Sequence, residues 1–318
     1  MCALITPGVR RGARLGEVRT RGGGMRVLIT GVKGQLGVEL SRALAGGGEV
    51  IGRDLPELDI TGAACADHVA ALEPDWVVHA AAATDVDGCE RDPAMALAVN
   101  GEGTRRVAEG CRLAGAGLVY ISTDFVFDGQ KGSPYLETDA PVPVSAYGRS
   151  KLAGERAVQE TASRWAVVRT AWLYGVHGKN FVKTIVGKAA AGEQLRVVDD
   201  QVGSPTYARD LAAAIAELLT RGLTGVFHLT NGGSCSWFEF TREILRQGGF
   251  SATDVLPISS RELARPACRP AYSVLANGAW ERAGLSALRP WPQALAAMLE
   301  AWRAAGPAAV PIFPARLT

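Results

Sequence analysis

Short apolar runs alternate along this chain with stretches in which apolar residues recur every three or four positions. Met25–Thr30, Trp76–Ala80 and Gly117–Ser122 have the length of buried strands, whereas Val38–Ala45 and Ala94–Leu113 have helical periodicity. Strands that alternate with helices of this length predict an α/β fold, a doubly wound, Rossmann-like parallel sheet covered on both faces.

The pattern changes after Lys151. Ala166–Arg169 and Val226–Leu229 are predicted strands, and Phe181–Ala190 and Ser236–Gln247 are predicted helices, separated by loops that contain proline and glycine. We expect a smaller C-terminal substrate-binding lobe that interleaves with the first domain through one or two returning segments.

The predicted organisation has four parts. Residues 25–170 form a dinucleotide-binding domain and residues 171–303 form the substrate-binding lobe. Residues 1–24 are rich in arginine and glycine without apolar periodicity, and are predicted to be a disordered leader or the product of a start codon upstream of Met25. Residues 304–318, rich in alanine and proline, are predicted to be a loose tail.

Composition excludes several classes of partner. The balance of 34 basic against 32 acidic residues gives no footprint for nucleic acid or an anionic membrane. No apolar run reaches the roughly 18 residues that a bilayer span requires. The 6 cysteines are scattered without a C-x-x-C pair, which indicates small buried hydrophobes in a reducing compartment. We therefore expect a cytoplasmic protein.

A glycine-rich turn follows the first strand and opens the first helix. Its glycines have the spacing G-x-x-G-x-x-G, in the context that a dinucleotide fingerprint requires. The first allows a tight turn, the second lets the backbone approach a pyrophosphate and the third permits close helix packing. The predicted pyrophosphate contacts, at the helix amino end, are Gly31, Gly34, Gln35, Leu36 and Gly37.

The end of the second strand carries the signal for the cofactor's adenosine. Asp54 is positioned to bind the ribose hydroxyls, which favours NADH, and its neighbour Arg53 could accept a 2′-phosphate. We therefore predict that both NADH and NADPH are used. Further predicted cofactor contacts, in loops that follow strands, are Asp59, Ile60, Ala82, Ala83 and Thr84.

Three residues have the arrangement needed for hydride transfer to a ketone. Tyr147 and Lys151 lie one helical turn apart, so an ammonium beside the phenol is expected to lower the tyrosine pKa and anchor the cofactor ribose. Tyr147 then exchanges a proton with the substrate oxygen, and Thr123, at a strand end, orients that oxygen. His79, at the end of another strand, is interpreted as a core histidine.

Longer strings carry a family resemblance. S-T-D-F-V-F-D-G at 122–129, Y-G-R-S-K-L-A-G-E at 147–155, R-T-A-W-L-Y at 169–174 and D-Q-V-G-S-P-T at 200–206 resemble the dTDP-4-dehydrorhamnose reductases of the extended short-chain dehydrogenase/reductase superfamily. The resemblance spans Met25 to Arg303. It implies reduction by NADPH or NADH of the 4-keto group of dTDP-4-dehydro-6-deoxy-L-mannose, giving dTDP-L-rhamnose in the last step of its biosynthesis.

The resemblance also implies residue roles. Thr123, Tyr147 and Lys151 keep the roles described above, and Asp124 and Trp172 lie against the sugar of a nucleotide-sugar substrate. An indole face packs well on a pyranose, which gives Trp172 a physical case of its own. Asn180, Phe181 and Arg269 are further candidates for binding the nucleotide diphosphate. Some family members are associated with Mg²⁺ and a homodimer, but no carboxylate cluster in this sequence justifies assigning a metal site.

Four alternative functions share the same fold. A sugar-nucleotide dehydratase needs an acid after the Thr-Asp pair, where this chain has Phe125. An epimerase keeps a similar Tyr/Lys pair, and only the strings at 169–174 and 200–206 argue against it. A non-catalytic regulatory subunit would retain the fold without turnover. A related nucleotide-sugar reductase would use the same chemistry on another hexose.

Overall fold

The computed structural model describes residues 24–305. Its strands are β1 (Met25–Thr30), β2 (Gly48–Arg53), β3 (Trp76–His79), β4 (Gly117–Thr123), β5 (Trp165–Thr170), β6 (Leu173–Tyr174), β7 (Leu195–Val198), β8 (Val202–Gly203), β9 (Thr206–Tyr207), β10 (Gly225–His228), β11 (Cys235–Ser236) and β12 (Val255–Ile258). Its helices are α1 (Gln35–Leu44), α2 (Cys65–Ala71), α3 (Val86–Arg91), α4 (Pro93–Leu97), α5 (Thr104–Ala114), α6 (Ala146–Thr161), α7 (Phe181–Ala190), α8 (Ala208–Thr220), α9 (Trp237–Gly248), α10 (Ser260–Leu263), α11 (Gly278–Arg282) and α12 (Trp291–Ala304).

A six-stranded sheet in the order β10-β5-β4-β3-β1-β2 forms the centre of the fold, and each of its neighbouring pairs is parallel. Alternate residues of β1 point to opposite faces. Val27 and Ile29 pack with Leu40 of α1 and Leu211 of α8, whereas Leu28 packs with residues of α2 and α5 on the other face. Burial on both faces confirms the predicted doubly wound α/β fold.

A second core lies outside the sheet. Helices α7, α9 and α12 pack their apolar faces together around Val186, Ile244 and Leu295, which are fully buried. The parallel pair β7–β12 and the short pairs β8–β11 and β6–β9 surround this core. We call this region, from β6 to β9, from β11 to residue 277 and including α12, the C-terminal lobe, whereas α11 packs on β10 of the central sheet.

One later strand returns to the central sheet. The chain runs through α8, which packs on α1, and then β10 pairs with β5 as the edge strand. Leu229, directly after β10, continues the ladder through a hydrogen bond from its N–H to the Arg169 carbonyl oxygen at 2.9 Å. The predicted division into domains at residue 170 stays a prediction.

The segment predicted as one helix, Ala94–Leu113, is interrupted. A π-helical turn, Ala98–Gly103, separates α4 from α5 and contains Asn100. Glycine and asparagine are weak helix formers, and here the Asn100 side chain hydrogen-bonds the backbone of Ala83. Apolar periodicity continues through the turn, so the interruption was not visible in the pattern.

Few residues of the two chain ends are among the described residues. The predicted leader, except Gly24, and the predicted tail, except its first two residues, lie outside the described residues. Helix α12 continues to Ala304, one residue into the predicted tail. Between residues 24 and 305, every helix is too short or too polar to cross a membrane.

Candidate active site

A cavity of about 700 Å³ opens at the carboxyl ends of the central strands. This is the position at which doubly wound sheets bind their ligands. The predicted site residues that line it are Gly31, Gly34, Gln35, Leu36, Gly37, Asp54, Asp59, Ile60, Ala82, Thr84, Thr123, Asp124, Tyr147, Lys151 and Trp172. Ala83 does not line the cavity, unlike its neighbours Ala82 and Thr84.

Ala83 is turned towards Asn100, a residue that the sequence analysis missed. The Asn100 side chain accepts a hydrogen bond from the Ala83 N–H at 2.8 Å and donates to the Ala83 carbonyl oxygen at 3.0 Å. It also donates to the Ser150 hydroxyl of α6 at 3.0 Å. Asn100 therefore joins the 82–84 loop to the helix that carries Tyr147. A polar residue within an apolar helical pattern was the only signal of this role.

Close backbone packing explains the glycines of the turn. Gly31 has φ +73°, and a Cβ there would lie 2.7 Å from the Ala81 nitrogen. A Cβ on Gly37 would lie 2.3 Å from the Gly31 carbonyl oxygen. Gly34 is the N-cap of α1, and no side chain caps that end of the helix. The first-turn amides are therefore available to an anion in the cavity.

Asp54 connects the second strand to this turn. One carboxylate oxygen accepts a hydrogen bond from the Lys33 N–H at 3.0 Å, and the other accepts from the Leu55 N–H at 2.9 Å. Arg53 also lines the cavity, and its guanidinium donates to the Gly52 carbonyl oxygen at 2.9 Å. The Asp54 carboxylate, which accepts hydrogen bonds, and the Arg53 cation therefore lie side by side at the end of the cavity next to the glycine turn.

Two buried polar atoms of the cavity wall fit a dinucleotide. The Gln35 side-chain oxygen and the Thr170 hydroxyl have no hydrogen-bond partner among residues 24–305, although both residues line the cavity. Buried polar atoms without partners are costly, and a ligand rich in hydroxyls and phosphates would satisfy them. Together with the uncapped end of α1, they show that the residues present fit the predicted cofactor.

Helix α6 positions the Tyr147 and Lys151 pair. Ser145 is its N-cap, and the Ser145 hydroxyl accepts a hydrogen bond from the Gly148 N–H at 3.1 Å. The buried Lys151 ammonium donates to the Ile121 carbonyl oxygen at 2.7 Å and lies 4.1 Å from the centre of the Tyr120 ring. The amine is therefore held between α6 and β4.

The tyrosine pKa differs from the sequence expectation. Enclosure by protein raises the pKa of Tyr147, and a hydrogen bond with Thr123 opposes this only in part. Burial lowers the pKa of Lys151 to about 7, against the attraction of Glu155. The expected lowering of the tyrosine pKa relied on a fully charged, adjacent ammonium, whereas desolvation dominates both groups here.

Thr123 is the last residue of β4, and Asp124 begins the short 3₁₀ turn that follows it. The Thr123 hydroxyl donates to one Asp124 carboxylate oxygen at 3.0 Å, and the Phe125 N–H donates to the same hydroxyl at 3.2 Å. Burial raises the pKa of Asp124 to about 6, although hydrogen bonds from Ser273 and Thr123 favour the carboxylate. The end of the cavity at Thr123, Tyr147 and Lys151, which we call the reacting end, thus contains a buried acid whose pKa is raised towards neutrality.

Trp172 lines the cavity, and its indole ring packs against other residues of the protein. Its backbone has φ +47°, a left-handed conformation that is strained for a tryptophan. Trp237 stacks on the indole at 3.5 Å between ring centres and 7° between planes. A Cβ on Gly203 would lie 2.5–2.8 Å from the indole Cε2, Nε1 and Cζ2 atoms, so Gly203 also packs closely on this ring. Trp237, which lines the cavity as well, was missed because its contact with Trp172 is long-range.

The other candidates for the diphosphate are placed differently. Arg269 lines the cavity and pairs with Asp87 at 3.0 Å. Asn180 is the N-cap of α7 and accepts from the Lys183 N–H at 3.2 Å. Phe181 packs against Trp237 with ring centres 4.4 Å apart. Asn180 and Phe181 lie behind the cavity wall and do not line it.

The remaining titratable candidates have structural environments. His79 is buried between the hydroxyls of Thr30 at 2.6 Å and Thr104 at 3.1 Å, which confirms the interpretation as a core histidine. Of the described cysteines Cys268 is exposed, so the prediction of burial was wrong for that residue. Within the described part of the chain, no three His, Cys, Asp or Glu residues come together to hold a metal ion, and Mg²⁺ has no support there.

Comparison with known proteins gives the family. The family model described as the RmlD substrate binding domain matches residues 25–304. The dTDP-4-dehydrorhamnose reductase of Streptomyces griseus is 45% identical over 278 residues, which cover 85% of this chain and 91% of that protein.

Solved structures agree with the sequence matches. The dTDP-4-dehydrorhamnose reductase of Clostridium acetobutylicum has a TM-score of 0.85 at 40% identity, covering 88% of this chain and 100% of that one. The Bacillus anthracis reductase, solved in complex with NADP, has a TM-score of 0.85 at 39% identity, covering 87% and 99%. The family match, the relatives and the cavity lead to one conclusion: this chain belongs to the dTDP-4-dehydrorhamnose reductase family.

Proposed function

We propose that this protein reduces the 4-keto group of dTDP-4-dehydro-6-deoxy-L-mannose to dTDP-L-rhamnose with NADPH or NADH. The observation that carries the proposal is a single cavity that runs from the glycine turn to Thr123, Tyr147 and Lys151. Hydride transfer from a dinucleotide to a ketone requires the cofactor-binding residues and the catalytic residues to line the same cavity. The relatives named dTDP-4-dehydrorhamnose reductase support this reaction and this substrate, and the relatives named for 4-keto reduction of other dTDP-sugars support the same chemistry.

The cofactor would be held by backbone at one end and side chains at the other. The amino end of α1 would bind the pyrophosphate, and Asp54 and Arg53 would meet the adenosine ribose. When bound, the reduced nicotinamide supplies the hydride. Lys151, fixed by its hydrogen bond to the Ile121 carbonyl oxygen, would hold the ribose of the nicotinamide half of the cofactor.

Tyr147 would donate the proton that the reduced carbonyl oxygen requires. Because enclosure raises its pKa, the phenol keeps its proton at neutral pH and is ready to act as a general acid. Thr123, which lines the same cavity as Tyr147, would orient the same substrate oxygen. Lys151, with a pKa near 7, can carry a positive charge that stabilises the tyrosinate left after transfer.

The substrate would lie between the end of β4 and the C-terminal lobe. Asp124 and Trp172 line this part of the cavity and would contact the hexose. Arg269 would face the diphosphate, with part of its charge already balanced by Asp87. Trp237 adds a second indole to the same wall.

The test is NADPH and NADH oxidation with freshly generated dTDP-6-deoxy-L-lyxo-4-hexulose, with dTDP-L-rhamnose identified as product. In Tyr147→Phe, we expect kcat to fall by roughly 10³, because the general acid is removed, while NADPH binding followed by fluorescence is retained. Equal turnover by this variant would contradict the mechanism. A wild-type protein that binds NADPH but never turns over would instead indicate a regulatory subunit or another hexose.

Two properties of the protein in solution remain predictions. We expect a cytoplasmic protein, which cell fractionation would test; the family resemblance makes a homodimer one possible state, which analytical ultracentrifugation would test. Mg²⁺ is no part of the proposed mechanism, so activity after treatment with EDTA should be unchanged.

A further inference from the structure

The Asp124 carboxyl is enclosed between two distant parts of the chain. One of its oxygens accepts a hydrogen bond from the Thr123 hydroxyl at 3.0 Å, and the other accepts a hydrogen bond from the Ser273 hydroxyl at 2.5 Å. Asp124 and Ser273 are only 1% and 2% exposed. Each carboxyl oxygen therefore has a fixed partner, one at the reacting end of β4 and one from the C-terminal lobe.

Ser273 is itself fixed by backbone hydrogen bonds. Its N–H donates to the Val202 carbonyl oxygen at 2.8 Å, and the Val202 N–H donates to the Ala271 carbonyl oxygen at 2.8 Å. The neighbouring Tyr272 N–H donates to the Gly129 carbonyl oxygen at 3.2 Å. The Ser273 hydroxyl thus reaches Asp124 from a segment that is anchored on both sides.

The hydroxyl of Thr123 depends on this arrangement. It accepts a hydrogen bond from the Phe125 N–H and donates one to Asp124, and it is near enough to Tyr147 to lower the pKa of that phenol against the effect of burial. A hydroxyl has one hydrogen to donate, so the orientation of the Asp124 carboxyl decides where the Thr123 hydrogen points. A rotation of that carboxyl would release Thr123 from its position beside Tyr147.

We propose that Ser273 is a positioning residue for the reduction: it fixes the Asp124 carboxyl and, through it, the direction of the Thr123 hydroxyl. The inference rests on the proposed function. Ser273 is not among the residues that line the cavity, so it acts through Asp124 and not on the substrate. The titratable groups that share the cavity end with Asp124 are Tyr147 and Lys151 from α6 and Arg269 from the segment that precedes Ser273.

Removal of the Ser273 hydroxyl has two expected effects. A hydrogen bond to the charged form of Asp124 is lost, so its titration midpoint should rise by about one pH unit in Ser273→Ala. The Thr123 hydroxyl loses its fixed direction, so kcat should fall roughly tenfold with the KM for NADPH unchanged. In Ser273→Cys, whose thiol is a weaker donor, both effects should have the same sign and a smaller size.

The experiment combines infrared titration with steady-state kinetics. The carbonyl stretch of the protonated Asp124 carboxyl, identified by its loss in Asp124→Asn, is followed against pH in the wild type, Ser273→Ala and Ser273→Cys. Ser204→Ala is the matched control, since Ser204 is a buried serine of the same lobe that donates to the Gly233 carbonyl oxygen at 3.0 Å. We expect this control to leave both the midpoint and kcat unchanged.

The outcomes separate this inference from the proposed function. A higher midpoint together with a lower kcat supports the positioning role. An unchanged midpoint in both Ser273 variants overturns it, and so does a raised midpoint with wild-type kcat. An inactive wild-type protein would contradict the proposed function, whereas the infrared titration would still decide whether Ser273 controls Asp124.

Discussion

The two ends of the cavity are built in different ways. At the cofactor end, Gly31, Gly37 and Asp54 are close in sequence, and the contacts that matter are made by backbone atoms. At the reacting end, Asp124 meets Ser273 and Trp172 meets Trp237, contacts between side chains that are distant in the chain. A site made of local backbone can be recognised from residue spacing, whereas a site made of long-range side-chain contacts requires the fold.

The largest effect is expected at the cofactor end, in Gly37→Ala. A Cβ would lie 2.3 Å from the Gly31 carbonyl oxygen, and backbone cannot move away as a side chain can. The free energy of unfolding should fall by about 3 kcal/mol, and NADPH affinity should fall by at least about tenfold. Urea denaturation and fluorescence titration measure the two effects.

Gly187→Ala is the control for this substitution. Gly187 lies within α7, and outside the backbone of its own helix a Cβ there would meet no atom of the described residues within 4 Å. Because alanine is the better helix former, this variant should be as stable as the wild type or more stable by up to about 1 kcal/mol. Similar losses in the two variants would show that backbone packing is not what makes the glycine turn special.

At the reacting end, Asp124→Asn tests the buried acid. Folding raises the pKa of Asp124 from 3.8 to about 6, so the folded state binds the proton more tightly. Ionisation of Asp124 therefore destabilises the wild type as pH rises from about 4 to about 6. Relative to the wild type, the variant should gain about 2 to 3 kcal/mol in unfolding free energy between pH 4 and pH 7.

Urea denaturation of both proteins at pH 4, 5.5 and 7 measures that gain. Titration of all other groups is shared by the two proteins and cancels in the difference. A difference that stays constant across this range would show that folding leaves the pKa of Asp124 unchanged, as it does for an ordinary surface carboxylate.

A third prediction concerns the pair of opposite charges at the adenosine end. In Arg53→Ala, NADPH affinity should fall about fivefold while NADH affinity is unchanged, because only NADPH has a 2′-phosphate for the guanidinium to bind. Arg112→Ala, at the exposed end of α5, is the matched loss of one positive charge. Equal losses of NADPH affinity in both variants would indicate a general charge effect and not a contact.

The smallest effect is expected for the stacked indoles. Trp237→Phe should reduce the near-ultraviolet circular dichroism that arises from coupling of Trp172 and Trp237, and should cost about 1 kcal/mol of stability. Trp165→Phe, at the start of β5, provides the control for loss of one indole. Addition of dTDP should alter the coupled signal in the wild type if this wall contacts the nucleotide sugar. Identical spectra for the two variants would contradict the stacking.

Much of the fold was predictable because its elements have clear periods. Met25–Thr30 and Phe181–Ala190 were predicted with the bounds that the structure has, since a buried strand ends at a glycine turn and a helix begins at a capping asparagine. The π-helical turn at Asn100 was not predicted, because apolar spacing runs through it without change. The return of β10 to the sheet could be expected, but its partner β5 could not.

The candidate site also contains residues that the sequence predicted and residues that only the fold brings together. Apart from Ala83, the predicted cofactor and catalytic residues all line the cavity, although their roles remain predictions. Ser273 and Trp237 carried no local signal, since each gains its significance from a partner elsewhere in the chain. The direction of the Tyr147 pKa was also beyond the sequence, because desolvation depends on how tightly the fold encloses a group.

The return of β10 to the edge of the sheet has a consequence for synthesis of the chain. The ribosome releases β1 to β5 well before Gly225–His228, so the nascent sheet has an unpaired edge along β5 while α6 to α8 are still emerging. The central sheet therefore gains its last strand only after translation has passed into the second half of the message.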